Sequence, residues 1–165
     1  MQSRTETVSA QKGIFFSISG GKFKAFILVG LLATSAFNMV MYADMAITGV
    51  PLDIPGVLGQ LAVGESQHAN AVGNAIHLGN GIGLSLLFGY VVLPISKKIA
   101  KIPTIITGIT FATIELVIAV WFGMLPALGA GIAGLNIAPE VPIMTLFRHI
   151  VFGIILGVSV RRWND

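Results

Sequence analysis

Residues 102–125 read IPTIITGITFATIELVIAVWFGML, an apolar stretch that contains a single charged side chain, Glu115. A helix of this length crosses about 30 Å of hydrocarbon, the thickness of a bilayer core. The stretch is too long for a strand, and it lacks the apolar and polar alternation of outer-membrane barrel strands. It therefore predicts a transmembrane helix.

The composition of the whole chain agrees with this prediction. Of its 165 residues, 55% are apolar and 10% are charged, whereas a soluble domain has about 25% charged residues. Three further apolar stretches cover residues 23–48, 70–95 and 142–160. The predicted fold class is therefore all-α, a polytopic membrane protein with four transmembrane helices in one domain over residues 1–165. The chain has no cysteine, which excludes thiolate chemistry, iron–sulfur clusters and disulfides.

The basic residues predict the orientation of these four helices. An even number of spans places both termini and the 95–102 loop on one side, and nine of the ten Lys and Arg residues lie there: Arg4, Lys12, Lys22, Lys24, Lys97, Lys98, Lys101, Arg161 and Arg162. By the positive-inside rule this side is cytoplasmic. We therefore expect a multi-pass protein of the cell (inner) membrane, with residues 1–21 as an N-terminal cytoplasmic arm. No basic surface indicates nucleic-acid binding.

The two loops on the opposite side are the longer ones. In the first loop, Asp53 is suited to cap a short helix over residues 55–63 that lies along the membrane surface, with Pro55 in its first turn. In the second loop, Gly129, Gly131 and Gly134 satisfy the spacing G-x-G-x-x-G. That pattern binds dinucleotides only between a strand and a helix, so it does not indicate a nucleotide site here.

The second and fourth spans share a local pattern. Each contains a histidine followed by small residues four and eight positions later: His77 with Gly81 and Ser85, and His149 with Gly153 and Gly157. The pattern favours a duplicated helical hairpin, although the alternative of chance similarity in a Gly-rich chain stays open. Both spans also contain G-x-x-x-G, a spacing that lets membrane helices approach closely. We expect Gly79, Gly83, Gly153 and Gly157 to pack helices within the bundle or against another subunit.

Ionisable residues at membrane depth are costly and indicate structural pairs or functional sites. Glu115 and Arg148 lie at similar predicted depths, so we expect them to form a buried ion pair. His77 and His149 also share a depth. They are candidates for axial ligation of a haem, or, with Asp44 or Glu115, for binding a transition metal; hydrogen bonding alone and proton relay are the alternatives.

Several short motifs resemble those of a known family. They are the Gly-Leu-Leu-Ala-Thr segment at residues 30–34, His77, Met124-Leu125-Pro126 with the following glycines, and His149 with Gly153 and Gly157. Over residues 30–160 the chain is similar to a family of small bacterial and archaeal four-span membrane proteins of unknown function. The resemblance implies a four-helix membrane bundle with a histidine in each even span, and it implies no activity.

Three functions remain open from the sequence. The first is an accessory or structural subunit of a larger membrane complex, whose partners are other integral membrane proteins and lipid; the small size and the Gly-rich helix faces favour it. The second is a haem- or metal-binding redox protein that uses His77 and His149. The third is a small transporter or channel protomer. No nucleophile and base are spaced to predict an enzyme.

Overall fold

The protein was analysed as a computed structural model that describes residues 20–161, with side chains described to residue 160. All regular structure in this range is helical. Five helices follow one another: α1 (Gly20–Thr48), α2 (Ile54–Val63), α3 (Ala69–Ile99), α4 (Thr104–Ala127) and α5 (Val141–Arg161). The predicted arm, residues 1–21, lies outside this range except for its last two residues, which begin α1.

Four of the five helices are long and apolar enough to cross a membrane: α1, α3, α4 and α5. The four predicted spans match them, and the observed helices extend a few residues further at several ends. Membrane helices end where polar or turn-forming residues begin, so hydropathy locates them well. The chain is therefore compatible with a multi-pass membrane protein, as its composition predicts.

The helices pack in the order α3, α1, α5, α4. Helix α1 contacts both α3 and α5, and α5 in turn packs extensively against α4. The buried face of α1 follows the helical repeat and forms the centre of the core with Phe26, Val29, Ala33, Phe37 and Met41. Helices α1 and α5 are therefore the inner pair, while α3 and α4 expose more of their surface.

Helix α2 is the predicted short helix, and its N-cap is formed as expected. The Asp53 carboxylate accepts a hydrogen bond from the Gly56 backbone N–H at 3.2 Å, and Pro55 lies in the first turn. The helix packs closely against the first turns of α3, because Gly59 and Gly73 leave no side chain between the two backbones. We call this side of the molecule, where α2 and the α4–α5 loop lie, the α2 end of the bundle.

Each hairpin of the bundle is held by a close approach of glycines. A Cβ built on Gly30 of α1 would lie 2.6 Å from the Cα of Ile82 in α3. A Cβ on Gly153 of α5 would lie 2.6 Å from the carbonyl oxygen of Gly108 in α4. The same kind of crossing in both hairpins favours the predicted duplication. The symmetry is incomplete, since α1 packs along α5 whereas α3 meets α4 mainly near Phe88 and Phe111.

Candidate functional site

Arg148 lies at the α2 end of the bundle and is fully buried. Its Nε donates a hydrogen bond to Oδ2 of Asp44 at 2.7 Å, its Nη2 contacts the other carboxylate oxygen, and its Nη1 donates to the Leu52 carbonyl at 3.1 Å. Two nitrogens of the Arg148 guanidinium face the two oxygens of the Asp44 carboxylate. The positive charge of Arg148 is therefore part of an ion pair that is also hydrogen-bonded. Arg148 thus ties α5 to the last turn of α1 and to the loop that follows it.

The predicted pairing of Glu115 with Arg148 is therefore wrong. The carboxylate that reaches Arg148 belongs to Asp44. Glu115 instead contacts the next residue of α5, His149, with Oε2 3.2 Å from Nε2. Neighbouring positions on a helix point about 100° apart, so a depth estimate alone does not tell which of two adjacent residues faces a given partner.

Both ring nitrogens of His149 lie close to oxygen atoms of neighbouring residues. His149 Nδ1 lies 2.7 Å from the Thr145 carbonyl oxygen, and because a carbonyl oxygen only accepts, Nδ1 must carry a hydrogen. The other ring nitrogen, Nε2, faces the Glu115 carboxyl group, so the His149 ring links α4 to the backbone of α5.

Glu115 and His149 face a cavity of about 110 Å³ at the centre of the bundle, which we call the polar cavity. All four long helices contribute to its wall, and α2 closes one side with Ile54 and Leu58. Its polar and aromatic lining consists of Thr34, Phe37, His77, Asn80, Glu115, Thr145, His149 and Phe152. Asn80 is itself exposed, so the cavity reaches the surface of the bundle beside α3.

His77 lines the polar cavity from α3 and has a buried ring nitrogen. Within the described residues, its Nδ1 has no hydrogen-bond partner. The ring is held by packing, because the centroids of His77 and His149 each lie 5.1 Å from that of Phe37 in edge contacts. A buried imidazole nitrogen without a hydrogen-bond partner lowers the stability of the fold, and the aromatic packing against Phe37 offsets part of that cost.

The structure does not assemble the ligand sets predicted for a haem or a metal. Both ring nitrogens of His149 already have partners, and the carboxylate of Asp44 is bound by Arg148 rather than directed into the polar cavity. Over residues 20–161, no group of three His, Cys, Asp or Glu side chains is arranged to hold a metal ion. The cavity is also small beside the roughly 300–1,000 Å³ of a pocket for a drug-sized ligand.

The four glycines predicted to pack helices behave in two ways. Gly153 and Gly157 lie at the interface of α5 with α4, as expected. Gly79 and Gly83 do not pack within the chain, since a Cβ on either would meet no atom within 4 Å. The α3 glycines that face α1 and α2 are Gly81 and Gly73. The period of G-x-x-x-G identifies a helix face, but it does not tell towards which neighbour that face is turned.

Two π-helical segments were not predicted, and the one in α4 contributes Val120 and Met124 to the wall of the polar cavity. They cover Phe88–Val92 in α3 and Leu116–Met124 in α4, and the second begins directly after Glu115. Each ends just before a proline, Pro94 or Pro126, which has no backbone N–H to donate to the preceding turn. In the sequence, a proline inside an apolar span was the signal that could have predicted these segments. Segments of this type are frequent at functional sites.

Comparison with known proteins gives a family and no activity. A family model described as a family of unknown function, DUF6789, matches residues 22–165. The chain belongs to this family. The match includes all four long helices and every residue of the polar cavity. No curated protein and no solved structure matches the chain.

Proposed function

We propose that this protein is a non-catalytic subunit of a membrane complex and contacts another protein through the outer face of α3. The observation that carries the proposal is the open position of Gly79 and Gly83. Both glycines are exposed on a helix that belongs in lipid, and nothing in the described chain approaches them.

The glycines belong to a longer line of small exposed residues. The outer face of α3 comprises exposed residues at intervals of four, of which four are small and the last is a leucine: Ala71, Ala75, Gly79, Gly83 and Leu87. In lipid, where no hydrophobic force drives association, helices gain contact where small residues let their backbones approach. A shallow groove along one helix fits a second transmembrane helix better than it fits mobile lipid chains.

The same proposal places the complex in the cell membrane with both termini on the cytoplasmic side. The nine basic residues of the termini and the α3–α4 loop support this orientation, as does the absence of Lys and Arg from the 49–68 and 128–140 loops. The α2 end, with the polar cavity, is then on the non-cytoplasmic side.

The geometry gives less support to the two alternative functions, a haem- or metal-binding redox protein and a small transporter or channel protomer. His149 has no free ring nitrogen for a haem or a metal. On the side of the bundle away from α2, Ser85 donates to the Phe26 carbonyl and Ser96 pairs with Thr107, and neither these side chains nor the buried Tyr90 hydroxyl line the polar cavity. They do not continue the polar cavity towards the other membrane surface.

Photocrosslinking tests the proposed contact, first with both glycines in place and then with both replaced. A benzophenone amino acid replaces Leu87 on the outer face of α3, and the matched control replaces Ile118, which is exposed on α4. We expect illumination of native membranes to give a protein adduct from position 87 and lipid adducts from position 118. Adding Gly79→Leu and Gly83→Leu should remove the position-87 adduct. Equal protein adducts from both positions, or none from position 87, would contradict the proposal.

A further inference from the structure

A groove separates α2 from the end of α4 and the loop that follows α4. Residues between 52 and 61 form one wall, and residues between 125 and 137 form the other. We call it the α2-end groove. Its volume is about 440 Å³, which lies within the roughly 300–1,000 Å³ of pockets that bind small ligands. Within the described part of the chain, no charged side chain lines it, so it suits an uncharged, apolar group.

The α2-end groove has an apolar floor and a polar rim. Leu52, Ile54 and Leu125 are buried and form the floor, and Ile54 also lines the polar cavity in the interior of the bundle. Gln60 and Asn136 line the groove from opposite walls and are exposed, so they form the rim. Polarity therefore increases from the interior of the bundle outwards.

Helix α2 rises from the interior of the bundle towards the membrane surface. The backbone N–H of Ile54 donates to Sδ of Met41 at 3.4 Å, and Met41 lies seven residues, or about 10 Å, before the end of α1. At the other end of α2, Gly59 packs against Ala69, the first residue of α3. Gln60 follows Gly59, so the polar rim is close to the membrane surface and the floor is deeper.

One acyl chain of a lipid matches the size and the polarity of this groove. A cavity of about 150 Å³ in another protein holds benzene, which has six carbon atoms, so a groove of about 440 Å³ has room for roughly 18 carbon atoms. A lipid in the leaflet at the α2 end is also polar at the membrane surface and apolar towards the bilayer centre. The groove therefore repeats the order of polarity of the lipid.

The charges near the groove favour a zwitterionic headgroup. The two loops at the α2 end contain Asp53, Glu65 and Glu140 but no Lys or Arg. Arg148 is fully buried, and its charge is already paired. Carboxylates repel a headgroup that has a net negative charge, whereas they attract the ammonium group of a zwitterionic headgroup.

From this geometry we propose that the α2-end groove binds one acyl chain of a zwitterionic phospholipid from the leaflet at that end of the bundle. The acyl chain lies on Leu52, Ile54 and Leu125, and an ester carbonyl of the lipid accepts a hydrogen bond from the side-chain amide of Gln60. The proposal does not depend on the contact at the outer face of α3, or on which side of the cell membrane the α2 end lies.

Native mass spectrometry of the full chain in detergent micelles is the first test. The chain is titrated separately with phosphatidylethanolamine and with phosphatidylglycerol that carry the same acyl chains. We expect a first lipid adduct at concentrations well below those that give further adducts. Phosphatidylethanolamine should bind about fivefold more tightly, because its headgroup has no net charge. The absence of a distinct first adduct, or equal or tighter binding of phosphatidylglycerol, would overturn the proposal.

Groove-filling variants test whether the first adduct lies in this groove. Val57→Trp and Leu128→Trp each place an indole ring in the groove from one of its walls, and both positions are only partly buried. Leu135→Trp adds the same side chain at an exposed loop position outside the groove. We expect each groove variant to weaken the first adduct by about tenfold and the control to leave it unchanged. A first adduct that persists unchanged in both groove variants lies elsewhere and overturns the proposal.

A third variant and a photoactivatable lipid give results that do not depend on filling the groove. Gln60→Met keeps the length of an exposed side chain and removes its amide, so it should weaken the first adduct by about fivefold. In native membranes, a phosphatidylethanolamine with a diazirine in one acyl chain should label residues 52–61 and 125–137 more than Ile106 and Ile114, which are exposed on α4. Equal labelling of both regions, the result expected if a protein segment occupies the groove, would overturn the proposal.

Discussion

Single residues at membrane depth determine how the helices of this protein are joined. The sequence identified Asp44, Glu115, Arg148, His77 and His149 as a set, because charged and titratable side chains are rare in lipid. It did not identify the pairs, since pairing depends on which way each helix is rotated. The helix order α3, α1, α5, α4 brings Asp44 to Arg148 and Glu115 to His149.

The Arg148–Asp44 pair should stabilise the bundle. Arg148→Met leaves the Asp44 carboxylate without its cation, and Asp44→Asn leaves a buried guanidinium without its anion, so each should cost about 3–5 kcal/mol. The double variant should cost less than the sum, because no lone charge remains. Unfolding in mixed micelles by SDS titration measures this, with Lys98→Met as an exposed control. A fully additive double variant would contradict the pairing.

Hydropathy and turn-forming residues predict the individual helices of this protein. The four spans and α2, with its Asp53 cap, were predicted because each depends on local composition. The π-helical segments were not predicted, although Pro94 and Pro126 mark both of them. Packing of Gly79 and Gly83 within the bundle was predicted from G-x-x-x-G, but the α3 glycines that face α2 and α1 are Gly73 and Gly81, which do not have this spacing.

Two glycine substitutions should therefore differ in their effect on the stability of the bundle. Gly153→Leu drives a side chain into the backbone of α4 at Gly108, and should destabilise the bundle by about 1–3 kcal/mol or more. Gly79→Leu meets open space and should leave the stability of the isolated chain nearly unchanged. Thermal unfolding of both variants in detergent gives the comparison. Equal losses of stability would show that the outer face of α3 packs within the chain.

At the scale of the whole molecule, the charge distribution predicts how the bundle lies in the membrane. The chain has no cysteine, so single cysteines introduced at Ser66 and Lys98 report the side on which each loop lies. In intact cells, an impermeant thiol reagent should label position 66 and not position 98, because lysines remain on the cytoplasmic side. Labelling of position 98 alone would reverse the orientation.

The central proposal is that this protein works as one subunit of a larger membrane assembly. The most direct measurement is the mass of the particle that contains it, extracted from native membranes with a polymer that keeps the surrounding lipid. Native mass spectrometry then releases the protein component and counts its chains. We expect a protein mass well above the 17.3 kDa of one chain, and a return to one chain in the Gly79→Leu/Gly83→Leu variant. A wild-type particle that contains one chain of 17.3 kDa and no other protein would contradict the proposal.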